Sequence, residues 1–133
     1  MQTPVLFVSH GAPDIALQTQ APTLACWQQL GAQLEHPKAI LVVSAHWETA
    51  TPTFSSAAHP NTIYDFGGFP APLYRLKYPA DGAPEMATLL QAAFAKVDLP
   101  LKIDPQRGLD HGAWIPMLSL FPKAEIPVAQ LSI

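Results

Sequence analysis

Three histidines in this sequence stand where an imidazole can do chemistry. His10 follows the apolar run Pro4 to Ser9, and His46 follows the apolar run Ala39 to Ala45. Each run reads as a buried parallel strand, apolar on both faces. Open α/β sheets place their ligand crevices at the C-terminal ends of such strands. If the two strands are neighbours, both rings enter one crevice, where neutral imidazoles suit Fe(II) or Zn(II). From spacing alone, the pair reads equally well as two unrelated polar residues at strand ends. The third histidine lies in Asp110-His111-Gly112. With Asp110 as a helix cap, His111 falls in the first turn and could serve as a general base near neutral pH. On position alone, a solvent-facing first-turn histidine is the simpler reading.

Other candidates have weaker support. Glu48, two residues after His46, could offer a carboxylate, but a surface glutamate explains it as well. His36 and His59 each precede a proline in a polar link or loop, and read as surface residues. Cys26 is the single cysteine, so no internal disulfide can form, and it reads as a small buried hydrophobe.

The elements that must position these residues alternate between strand and helix. Thr23 to Leu34 has apolar residues at Leu24, Trp27, Leu30 and Leu34, a helical spacing, and would cross between the first two strands. Thr51 to Pro84 is rich in proline, glycine and aromatic residues and has no sustained period. Its aromatics argue for an ordered active-site loop. Within it, Asp65-Phe66-Gly67-Gly68-Phe69-Pro70 suits a tight turn with aromatic walls. Pro84 to Val97 predicts a helix opened near Asp81 or Gly82, and Leu99 to Ile103 predicts a short strand. Asp110 caps a predicted helix through Leu120 that Pro122 stops, and Pro127 to Ile133 reads as a last strand. The expected fold class is α/β: a mostly parallel (mixed) sheet flanked by helices, one domain over residues 1–133. An apolar strand at the end suggests an incomplete portion of a larger domain.

Composition narrows the function classes. With 133 residues and 49% hydrophobic side chains, the chain can bury a core. Charged residues are only 13%, about half the usual share, so uncharged surface should be extensive. A net charge of −3 with scattered Lys and Arg offers no footprint for nucleic acid. No secretory signal or membrane-length apolar run is visible, so a reducing, cytoplasmic location is the default. A metal-free hydrolase or transferase is disfavoured, because neither a Gly-x-Ser-x-Gly elbow nor a phosphate-binding glycine loop follows a strand.

Five segments occur in an ordered set: Ser9-His10-Gly11-Ala12-Pro13, Val42-Val43-Ser44-Ala45-His46-Trp47, Thr62-Ile63-Tyr64-Asp65-Phe66-Gly67-Gly68-Phe69-Pro70, Gly108-Leu109-Asp110-His111-Gly112-Ala113-Trp114 and Val128-Ala129-Gln130-Leu131-Ser132. Together they resemble the class B extradiol ring-cleavage dioxygenases, in the branch that contains dihydroxyphenylalanine (DOPA) dioxygenases. The resemblance runs from near residue 4 to the last residue. It implies that His10 and His46 are metal ligands of one mononuclear Fe(II) or Zn(II) site, and that His111 shuttles protons. It also implies that the Gly67-Gly68-Phe69-Pro70 loop flanks a pocket for a small aromatic diol, cleaved with O2. Trp47, Tyr64, Phe66 and Phe69 are the aromatic side chains available to wall such a ring. Family members continue past the last strand, and that part carries a third metal ligand and a further active-site histidine. The Ala12-Pro13-Asp14 segment departs from the usual Ser-Pro after His-Gly without touching a ligand. A non-catalytic or truncated metal-binding domain of the same fold is the alternative, and a homo-oligomer could complete the site.

Overall fold

The computed structural model describes residues 4–133. The sheet has four strands: β1 (Ile40–Val43), β2 (Thr53–Ser55), β3 (Lys102–Asp104) and β4 (Val128–Leu131), in the order β1-β4-β2-β3. β1 runs parallel to β4 with Val43 opposite Leu131, and β2 runs parallel to β3. One antiparallel pairing, Phe54 opposite Leu131, joins the halves and makes the sheet mixed, as expected from the α/β pattern.

Three helices flank it: α1 (Pro22–Gln33), α2 (Met86–Ala95) and α3 (His111–Leu120). Side chains alternate across a strand, so adjacent residues of β4 serve different layers. Val128 joins the larger core with Leu24 and Trp27 of α1 and with Trp114, Ile115 and Leu120 of α3. Ala129 joins Phe54 and Ala83 in a smaller core, against which Met86, Ala87 and Leu90 pack from around α2. α1 and α3 cover one face of the sheet and α2 the other. α3 is apolar almost all round, and eight of its ten residues are buried. It starts where expected: the Asp110 side chain accepts a hydrogen bond from the Ala113 N–H.

Four expectations need correction. Pro4 to Ser9 is not a strand, and Val5 and Phe7 are fully exposed. An apolar run becomes a strand only where a neighbour pairs with its backbone. Among the described residues, the parallel partner of β1 is β4 instead. The strand, helix, strand unit expected at the start is therefore absent. Thr51 to Pro84 is ordered, but it is more than a loop. It contains β2, a short 3-10 helix at Ala71–Arg75 and a parallel bridge between Thr62 and Leu109. The second helix begins at Met86 rather than near Asp81 or Gly82, and its N-cap residue Glu85 makes no side-chain cap. Cys26 is exposed, because α1 turns Leu24, Trp27 and Gly31 inward and leaves Cys26 on its outer side.

Gly31 is the point where α1 lies directly on the backbone of α3. A Cβ there would fall onto the Leu120 carbonyl. Gly31→Ala should therefore destabilise the fold by roughly 1–3 kcal/mol, outweighing the gain of about 1 kcal/mol that alanine brings to a helix interior. Urea denaturation checks this. Equal or greater stability would show that the helices can part at no cost.

Candidate functional site

Each of the three histidines reaches the site from a different part of the chain. After β1 the chain turns at Ser44, whose carbonyl accepts from the Trp47 N–H and whose hydroxyl accepts from the His46 N–H at 3.2 Å. The Ser44 hydroxyl in turn donates to the Asp110 carboxylate at 2.7 Å. That carboxylate is wholly buried. It also accepts from Gln130 Nε2 at 2.8 Å and from Arg107 Nη2 at 3.2 Å, while the Asp110 N–H donates to Gln130 Oε1 at 2.8 Å. One buried acid thus ties the end of β1, the penultimate residue of β4 and the start of α3. Gly112 permits this closeness, since a Cβ there would strike the Ser44 hydroxyl and the His46 ring.

His10 arrives on the N-terminal segment, followed by Gly11 in the left-handed region at φ 61°. His10 Nε2 lies 2.9 Å from His46 Nε2. The His111 ring centroid is 3.9 Å from that of His46 and 4.9 Å from that of His10. One ring nitrogen from each of the three lies within 4.8 Å of the others. His10 and His46 converge although no strand precedes His10. Glu48 and His59 stay outside the group, and His59 pairs with exposed Asp81 at 2.9 Å. His36 packs against Phe121.

Sequence reasoning missed one partner of this group. Asp65 Oδ1 accepts from the His111 backbone N–H at 3.0 Å and lies 2.8 Å from His111 Nδ1. Burial alone would raise the Asp65 pKa, but the hydrogen bonds from the His111 backbone and ring outweigh it and hold the carboxyl below its ordinary value of 3.8. An ionised carboxylate only accepts, so His111 Nδ1 is the donor to Asp65 at this contact. His10 is held below its ordinary value of 6.5, first by burial and then by the neighbouring His111 and His46 rings.

Aromatic side chains adjoin the histidines. Phe66 meets the His111 ring edge-on at 5.5 Å, and it packs on Phe69 at 5.6 Å and Tyr74 at 5.2 Å. Tyr64 and Trp114 extend the cluster, with the Tyr64 hydroxyl donating to the Leu76 carbonyl and Trp114 Nε1 to the Ile63 carbonyl. Trp47 is elsewhere. It is buried, with the Arg107 guanidinium 4.8 Å from its ring centroid. Tyr74 and Trp114 were not singled out from sequence, because nothing in their spacing ties them to Phe66.

The donor set fits a metal ion. Two nitrogens bound to one ion at about 2.0–2.1 Å sit roughly 3 Å apart, close to the 2.9 Å between His10 and His46. The neutral form that burial imposes on His10 is the form that ligates.

The chain belongs to the ring-opening dioxygenase family: residues 3–133 match the catalytic LigB subunit of aromatic ring-opening dioxygenase. It is 46% identical over 131 residues to a 4,5-DOPA dioxygenase extradiol of Beta vulgaris, covering 96% of this chain and 48% of the relative. It is 44% identical to the protein of the same name from Escherichia coli K12, covering 98% and 47%. A crystal structure of an uncharacterized protein from Escherichia coli K12 aligns with a TM-score of 0.66 at 36% identity, covering 85% of this chain and 41% of that one. The chain therefore spans about half the length of the curated relatives it matches.

The two groups with lowered values, His10 and Asp65, fix an acid-side pH dependence of stability. His10 takes its proton in the unfolded chain near 6.5 but only at lower pH when folded. Its contribution is complete above pH 6.5 and is lost as pH falls from there to its folded value. Asp65 stabilises above its unfolded value of 3.8 and loses that contribution as pH falls through its lower folded value. The urea midpoint of the metal-free chain should decline in two acid steps, with His10→Asn removing the upper one and Asp65→Asn the lower. A His10→Asn profile that kept the upper step would assign it to another group.

Proposed function

We propose that this chain acts in metal-dependent extradiol cleavage of a catechol-type, DOPA-like aromatic diol with O2. The observation that carries the reading is the convergence of the His10, His46 and His111 nitrogens within 4.8 Å. His10 and His46 would hold one mononuclear divalent ion, Fe(II) or Zn(II). When bound, it would supply open positions for the two diol oxygens and O2. Zinc has no redox chemistry, so turnover with O2 favours Fe(II).

The protein's own groups divide the remaining work. His111, buried and bonded to Asp65, presents its free nitrogen beside the two ligands and accepts the proton that a catechol hydroxyl gives up. The same nitrogen returns it as the ring opens, as one imidazole can do near neutral pH. Phe66 and Phe69, with Tyr64 behind them, form an apolar wall for the ring. Trp47 supports the site from beneath Arg107 rather than lining it.

A second reading makes His111 the third ligand. It is favoured by the place of His111 in the same nitrogen triangle and by its carboxylate partner, since ligating histidines commonly donate their other N–H to a carboxylate. The non-catalytic metal-binding alternative would share that geometry. The proposal includes a cytoplasmic location, with neither nucleic acid nor membrane as partner. No described helix is long and apolar enough to cross a membrane. Self-association is supported by the exposed Val5, Phe7 and Val43.

Oxygen uptake on a catechol, with Fe(II) supplied anaerobically beforehand, tests the reading. His111→Ala should keep its metal and lose about 10²–10⁴-fold in turnover. Loss of metal with a normal rate per bound ion would make His111 a ligand instead.

A further inference from the structure

We infer that Asp65 is the positioning residue of His111: it selects the Nδ1–H tautomer and thereby leaves Nε2 as the nitrogen available to the His10 and His46 cleft. The inference rests on the proposed proton-carrying role of His111 for its catalytic meaning, but not for its structural content.

The geometry is specific. A single oxygen, Asp65 Oδ1, lies 3.0 Å from the His111 backbone nitrogen and 2.8 Å from Nδ1 of the same residue. The backbone N–H is always a donor, so it fixes that oxygen as an acceptor. As an ionised carboxylate oxygen it carries no hydrogen, so Nδ1, which approaches the same oxygen at 2.8 Å, also donates to it. The backbone bond sits in the first turn of α3, where an N–H has no partner within the helix. Satisfying it therefore anchors the carboxylate and, with it, the ring. The His111 side chain is 7% exposed and that of Asp65 25%, so little water competes for the Nδ1 proton. Phe66, the next residue in the chain, meets the His111 ring edge-on at 88° and limits its rotation. Asp65 and Phe66 thus grip the ring from one segment. That segment also carries Gly68 in the left-handed region at φ 78°.

The test is long-range ¹H–¹⁵N correlation NMR on histidine-labelled, metal-free protein, assigned with His111→Ala. The wild-type chain should show His111 protonated at Nδ1. Asp65→Ala should shift His111 toward the Nε2–H form or a mixture. Asp65→Asn should keep Nδ1–H, because the amide oxygen can accept from both nitrogens in the same place. With metal and a catechol supplied, Asp65→Ala should lose about 10- to 100-fold in kcat with KM and metal content unchanged, and Asp65→Asn should recover most of it. An unchanged Nδ1–H signal in folded Asp65→Ala would overturn the inference, and so would a changed tautomer with unchanged kcat in a chain that needs His111. Should His111→Ala itself turn over normally, the proton-carrying role falls, while the tautomer result still decides what Asp65 does. If Asp65→Ala fails to fold, Asp65→Asn decides: an Nε2–H signal there contradicts the shared-oxygen geometry.

Discussion

The arrangement of this chain depends on one buried charge. The Asp110 carboxylate is fully enclosed, and burying an ion is costly unless every lone pair finds a donor. Here the donors are Ser44, Gln130, Arg107 and the N–H of Ala113. They come from the turn after β1, from β4, from the approach to α3 and from its first turn. Leaving such a buried group short of one partner costs about 1–3 kcal/mol or more, so these segments are held in a fixed relation. The network carries no chemistry itself. Its effect is to put the residue after Asp110 and the second residue after Ser44 side by side, and those residues are His111 and His46.

The site inherits its character from that constraint. Three imidazoles packed this closely would repel one another if charged, and partial burial further favours the neutral form of His10. Neutral imidazoles can bind a cation, and the 2.9 Å between His10 Nε2 and His46 Nε2 is close to the separation of two nitrogens on one ion. On the other side, Asp65 occupies the second nitrogen of His111. Phe66 and Phe69 supply an apolar flank beside this polar cluster. Binding sites commonly combine such a flank with a few convergent polar groups.

Much of this was legible from local signals. The helix at Asp110 announced itself through a capping aspartate and a following apolar stretch, and β1 and β4 through short β-branched runs. His46 could be singled out because it follows the β1 run, His10 because it follows the apolar run Pro4 to Ser9, and His111 because it follows that cap. What escaped depended on tertiary context. β2 is three residues within a proline-rich stretch, too short for a period to register, yet it joins the two halves of the sheet. Pro4 to Ser9 has the composition of a strand but no partner among the described residues. Asp65 looked like a turn residue, because its bond to His111 spans 46 positions. Trp47 resembled a ring-stacking wall beside His46, while its actual neighbour is Arg107.

The central claim is that His10 and His46 form a metal site whose geometry is set by the fold. Metal-edge X-ray absorption on the chain loaded with one equivalent of Fe(II) or Zn(II) tests it most directly, compared with a His10→Ala/His46→Ala double variant. The account predicts one ion per chain with at least two imidazole nitrogens at about 2.0–2.2 Å, and loss of that signature in the double variant. Binding that the double variant retains, or a coordination shell without imidazole, would contradict it.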